Sequence, residues 1–153
     1  MRTMLLSFKA DVYKRVLSGE KIFEYRKVFP NEDIKAFLYV SFPIKAVTGI
    51  MYLKNRTSLL EWKDRYKGYP EVCKRIDAYL PHYRYVMEIE RFHETNAISL
   101  EKLRGDIPKF VVPQMYYFID DSPLLTYLEQ SLIPSGKIVK NSHKNVTNDI
   151  ICP

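Results

Sequence analysis

Hydrophobic and polar positions along the chain change period several times, and each change marks a new element. Met4 to Phe8 is a short apolar run closed by Lys9, the pattern of a first strand. Asp11 is placed to cap a helix running to about Ser18, with Val12 and Val16 on its core face and Lys14 and Arg15 opposite. Gly19 reads as the C-cap of that helix. Directly after it the period falls to two: Ile22, Glu24 and Arg26 face one way along a strand, Phe23 and Tyr25 the other. A turn at Pro30 and Asn31-Glu32-Asp33 leads to a strand over Ile34 to Val40. Val47 to Leu53 is the next strand, with only a short connection between the two.

From Ser58 the helical period returns. Leu59, Trp62 and Tyr66 fit a helix capped by Thr57 or Ser58 and broken at Gly68 and Pro70, and Trp62 reads as core. A second helix, Glu71 to Tyr79, buries Val72, Ile76 and Leu80, and takes Cys73 along as a small apolar group. Arg84 to Phe92 alternates as a half-buried strand. Ser99 caps a short helix ending at Gly105, and Met115 to Ile119 is the last expected strand, with Pro113 marking an edge or entry point. Asp120-Asp121-Ser122-Pro123 starts a helix to about Leu132. The polar tail beyond Pro134 is either loose or a docked arm. About six strands with flanking helices, antiparallel neighbours joined tightly, predict an α+β fold built on a small mixed barrel rather than a doubly wound sheet.

Charge sharpens this picture. The chain of 153 residues carries a formal +6, and all of the excess lies in residues 1–56, where eleven Lys/Arg face five Asp/Glu. Such asymmetry suits a polyanionic partner, and solubility alone also accounts for it. With two cysteines, Cys73 and Cys152, the chain has neither a disulfide framework nor metal-ligand spacing. His82, His93 and His143 lack metal spacing and a partnered Cys or Ser, and read as surface or structural residues. No metal and no cofactor is implied. No apolar run approaches the roughly 18 residues that span a bilayer, so a cytoplasmic protein without a membrane partner is expected.

Gly19-x-Lys21-x-x-Glu24-x-Arg26, preceded by Leu6-Ser7-Phe8-Lys9 and followed by Tyr39-Val40-Ser41-Phe42-Pro43-Ile44-Lys45, resembles the ASCH domain, a branch of the PUA-like superfamily. Ile98-Ser99-Leu100-Glu101-x-Leu103-Arg104 and Pro113-Gln114 extend the likeness over about residues 3–120. The resemblance implies a PUA-like mixed β-barrel with a cleft beside the first helix, a fold tied to binding RNA or a nucleotide-like small molecule. It divides the chain into an ASCH/PUA-like domain over 1–121 and a C-terminal helix and polar tail over 122–153. Some small members of the family hydrolyse N4-acetylated cytidine with a Lys at the position of Lys21, a Thr three residues on and a Glu from the helical insert. Here Glu24 replaces that Thr, with Glu61 and Glu71 as candidates for the third group. Nuclease activity is also linked to the family, so phosphodiester cleavage is a further reading.

Two readings of the chemistry follow. As a binding module, the protein takes its ligand into a basic cleft floored by Lys21, Glu24 and Arg26, with Lys9, Gly19, Ser41 and Gln114 as further ligand-binding positions and Lys14, Arg15 and Lys27 adding positive charge. Glu24 and Arg26 then pair across one strand face and aim the guanidinium at a phosphate or base. As a small hydrolase, it uses Lys21 and Glu24 catalytically. A lysine acts as base or nucleophile only when burial or neighbouring cations destabilise its ammonium; Arg26 and Lys27 act in that direction and Glu24 against it. Strict alternation sends Lys21 and Glu24 to opposite faces, so a shared site requires a kink near Gly19. Ser41 and Gln114 either read a base edge or close turns.

Overall fold

The computed structural model describes all of the chain, Met1 to Pro153. Seven strands form one mixed sheet: β1 (Arg2–Phe8), β2 (Phe23–Arg26), β3 (Ile34–Val40), β4 (Ala46–Ser58), β5 (Tyr85–Ser99), β6 (Tyr116–Phe118) and β7 (Pro134–Lys140). Their order is β2-β5-β4-β3-β1-β6, with β7 also paired to β5, and the sheet curls into a half-barrel. Only β1 and β3 run parallel, joined by the crossover that holds helix α1 (Ala10–Leu17) and β2. Four more helices flank the sheet: α2 (Leu59–Arg65), α3 (Pro70–Tyr79), α4 (Leu100–Asp106) and α5 (Pro123–Ser131).

Strand alternation builds two cores. Met4, Leu6 and Phe8 of β1 join Ala36, Leu38 and Val40 of β3 on the face covered by Tyr13 and Val16 of α1. Leu5, Phe37 and Tyr39 point the other way, against Leu100 and Leu103 of α4 and Leu124 and Leu128 of α5. A third cluster gathers Phe23 and Tyr25 of β2 with Leu59, Trp62, Val72 and Ile76 of α2 and α3. Burying apolar side chains on both faces explains why the central strands read as near-continuous apolar runs.

Serine hydroxyls close the starts of three helices. The Oγ atoms of Ser58, Ser99 and Ser122 each accept at 3.1 Å from the backbone N–H three residues on, at Glu61, Lys102 and Leu125. Helix α1 differs from expectation. Its N-cap is Lys9, with no side-chain cap, and Asp11 lies inside the first turn, where a carboxylate still favours the helix dipole. Helix α4 runs through Gly105 to Asp106 instead of ending at the glycine.

β4 and β5 extend past the apolar runs that announced them, because their outer residues pair with each other whatever their polarity: Thr57 with Val86, Ala46 with Ser99. β6 is an edge strand, as Pro113 suggested, though it is not the last. β7 lies in the tail, with six of its seven residues exposed, and is held to β5 by register pairs such as Arg91 with Lys140. The tail then docks. Asn141 Nδ2 donates to Ile89 O at 2.8 Å, and Ile151 and Cys152 are buried in the third cluster. Cys73 is half-buried, with its Sγ 3.1 Å from Tyr66 O. No helix is long and apolar enough to cross a membrane.

Gly49 sits where β4 crosses Phe92: a Cβ built there would press on the Phe92 ring and lie 2.5 Å from the His93 carbonyl oxygen. Gly49→Ala therefore overpacks the barrel and is expected to cost about 1–3 kcal/mol, read as a fall in Tm of roughly 2–4 °C per kcal/mol. A second prediction concerns Asp120, which joins β6 to β1. Its carboxylate accepts from Thr3 N at 2.9 Å, Thr3 Oγ1 at 3.0 Å and Arg2 Nε at 3.0 Å. The Thr3 backbone N–H, then Arg2 and the Thr3 hydroxyl, hold its pKa down at about 2, against an ordinary 3.8. The folded value lies below the unfolded one, so this stabilisation is present above the ordinary value and is lost as pH falls through about 2. Because the side chain is 31% exposed, Asp120→Ala is expected to cost only about 1 kcal/mol at neutral pH. Denaturant titrations of the two proteins should converge towards pH 2.

Candidate functional site

The site begins with the exit from α1. Gly19 takes φ +78°, a left-handed conformation that costs glycine little, and its N–H donates to Val16 O at 3.1 Å. Lys21 N then folds back on Arg15 O at 3.0 Å, so the chain turns sharply before β2 starts at Phe23. This is the kink that a shared site required. It places Lys21 Nζ 3.3 Å from Glu24 Oε1, although regular alternation would have parted them.

Glu24 lies at the centre, its side chain 6% exposed. Oε1 takes Lys21 and the Tyr25 N–H at 3.2 Å; Oε2 takes Arg26 Nε at 3.2 Å and Nη2 at 2.9 Å. Arg26 Nη2 also donates to Ser7 O at 2.9 Å, tying β2 to the end of β1. One buried carboxylate thus holds two cations that are themselves only 12% and 15% exposed, and the three groups together carry a single positive charge. Arg26 Nη1 and the other ammonium hydrogens of Lys21 make no hydrogen bond within the protein, although the ammonium also lies 5.3 Å from the centre of the Tyr25 ring, and both side chains line an open cavity.

That cavity has a volume of about 760 Å³. Five basic residues line it, Lys9, Arg15, Lys21, Arg26 and Lys27, against three acids, Glu20, Glu24 and Asp149. All five bases come from the first 27 residues, within the segment that holds the charge excess. Ser41 and Gln114 also line it, whereas Gly19 does not, and with φ +78° it turns the backbone into the site. Lys14, Glu61 and Glu71 do not line the cavity, so neither glutamate stands where the third group of an amidohydrolase set would be needed.

One wall is aromatic and was not visible in the periodicity. Tyr79 stacks edge-on against Tyr25 at 5.0 Å and lies 5.5 Å from Tyr83, and all three line the cavity beside His82. Burial raises the phenol pKa values of Tyr25 and Tyr79, so both rings are neutral at physiological pH. The tail finishes this wall: Cys152 N donates to Tyr25 Oη at 3.1 Å, Arg75 grips Asn148 O at 2.6 Å and Ile151 O at 3.1 Å, and Asp149 and Pro153 face the cavity. Burial pushes the Cys152 thiol up to about 12, leaving it unreactive. The apolar pair Ile151-Cys152 closing a polar stretch was the one sequence signal of this docking. His143 is structural, with Nε2 2.9 Å from Ile22 O and the ring 5.1 Å from Phe23. No group of three or more His, Cys, Asp or Glu side chains stands together as a metal site would require.

No protein-family model matches the sequence, and no curated protein matches it. Solved structures do. The ASCH protein of Zymomonas mobilis superposes with a TM-score of 0.63 at 17% identity, over 86% of this chain and 96% of that one. A Tyr-to-Phe variant of it gives 0.63 at 16% identity, over 87% and 100%, and a Ser-to-Ala variant 0.58 at 17%, over 84% and 96%. Identity at this level speaks for architecture alone, and on that ground the chain shares the α+β fold of the ASCH structures.

Proposed function

We propose that the cavity binds RNA or a nucleotide-like ligand, with an anionic group held by Lys21 and Arg26 and a base against the tyrosine wall. The observation that carries this reading is the floor: two cations fixed by one buried carboxylate, with unpartnered donors facing a cavity of about 760 Å³. That volume lies within the roughly 300–1,000 Å³ usual for small-molecule sites. Guanidinium and ammonium donors match phosphate oxygens, and neutral phenol rings offer flat faces for a base. Lys9, Arg15 and Lys27 add long-range attraction for a polyanion.

The hydrolytic reading has less support. Both oxygens of Glu24 are already committed to Lys21, Arg26 and a backbone N–H, which leaves this carboxylate no lone pair aimed at a water. While paired in this way, Lys21 serves as a donor. Glu20 and Asp149 are the remaining carboxylates on the cavity wall.

Arg26→Ala removes the charged donor Nη1, the one guanidinium nitrogen not already spent on Glu24 and Ser7, and a loss of about 1.5–3 kcal/mol corresponds to roughly 10- to 150-fold weaker binding of a fluorescent RNA oligomer. Arg26→Lys keeps the charge but cannot grip Glu24 and the Ser7 carbonyl and still present a free nitrogen to the cavity, so it should recover only part of it. Wild-type affinity should fall with salt at about 0.7 in log–log slope for each phosphate contact on a single strand. Salt-independent binding, or full affinity in folded Arg26→Ala protein, contradicts the proposal. Incubation with N4-acetylcytidine and with RNA, beside a Lys21→Ala control, should return both substrates unchanged; turnover that depends on Lys21 would establish the hydrolase instead.

A further inference from the structure

The C-terminal end of β1 lies between β3 and β6, and the strand connections there leave apolar side chains in water. Ser41 N donates to Phe8 O at 2.9 Å and Ser7 N to Met115 O at 2.9 Å, so the segments after β3 and before β6 flank the end of β1 on its two sides. Lys9, exposed, stands between them. Ser41 opens a tight turn, its carbonyl accepting from Ile44 N at 3.1 Å, and the turn holds Phe42 outward at 80% exposure. Met115 is 44% exposed. Phe42 touches no other ring in the chain, although burying a phenylalanine side chain is worth about 1.5–3 kcal/mol. Since Ser41, Lys9 and Met115 also line the cavity, this exposed face is continuous with its mouth.

We infer that this rim is a second base subsite, and that the ligand is a single-stranded nucleic acid of at least two nucleotides rather than a free nucleotide or a duplex. One nucleotide enters the cavity, the next base stacks on Phe42, and the phosphate between them lies against Lys9. The inference rests on the proposed function and narrows it. A duplex hides its base faces in its own stack, whereas a single strand offers each face to an aromatic ring. Such a platform adds affinity without reading sequence, because every base has a flat face.

The test compares adenosine 5′-monophosphate, an adenylate RNA pentamer and a blunt RNA duplex on the full chain. Wild-type protein should bind the pentamer more tightly than either other probe. Phe42→Ala, at an exposed position where Tm is expected to stay unchanged, should weaken the pentamer by roughly 5- to 150-fold, the effect of one lost base–aromatic stack. The monophosphate should change by less than twofold, about the scatter of such a measurement, and Phe42→Tyr should restore the pentamer. An unchanged pentamer, an equal loss on the pentamer and the monophosphate, or a duplex bound as tightly as the pentamer overturns the rim subsite. The cavity reading fails separately, if neither the monophosphate nor the pentamer responds to Arg26→Ala.

Discussion

A carboxylate removed from water must be matched almost completely, and here Glu24 is matched by two cations and a backbone N–H. Much of the local architecture answers to that requirement. Arg26 spends its Nε and one Nη on Glu24 and on the carbonyl of Ser7, which fixes β2 relative to the end of β1. Lys21 reaches the same group only because the chain turns at Gly19. The carboxylate in turn keeps two like charges close together, which could not lie so deep without it. The product is a rigid cationic floor with donors to spare, in a partly desolvated place where electrostatic contacts are stronger than at the surface.

The sheet around this floor explains how a small chain supports it. Both faces of the central strands are buried, one beneath α1 and the other beneath α4 and α5, so the strand ends are held from two sides. Loops at those ends carry the cavity residues Lys9, Ser41 and Gln114. Rigid strands presenting polar side chains from their connecting loops is a general arrangement for binding sites. The likeness to the ASCH structures concerns this scaffold, and a shared scaffold does not by itself carry a shared chemistry.

Some of this was legible in the amino-acid order. Ile34–Val40 matches β3 residue for residue, because a strand buried on both faces is apolar almost throughout, with Lys35 near its start the one polar residue. Ser58, Ser99 and Ser122 announced three helices through hydroxyls that cap their first turns. Lys21, Glu24 and Arg26 stood out as charges delivered to a corner, and the left-handed Gly19 that joins them was named for its position, though its role is conformational. β7 was hidden, since a strand with an exposed face and polar side chains is specified by backbone pairing with β5. The wall of Tyr25, Tyr79 and Tyr83 was hidden too, because it assembles from β2, the end of α3 and the segment beyond it, which meet only in three dimensions. Asp11 misled as a cap because a residue suited to the N-cap also suits the first turn.

β2 finds its partner strand about 60 residues downstream, Arg26 opposite Tyr85 and Phe23 opposite Glu88. The entropy of closing so long a loop has to be offset by contacts that exist only once β4 and β5 have paired. Contact order of this kind makes such pairing slow and leaves the four residues of β2 no independent stability. The cationic floor is therefore a property of the cooperative whole: it comes and goes with global unfolding, and a guest molecule that occupies it stabilises the entire domain by an amount that grows with the logarithm of its concentration over its dissociation constant, even after the site is full.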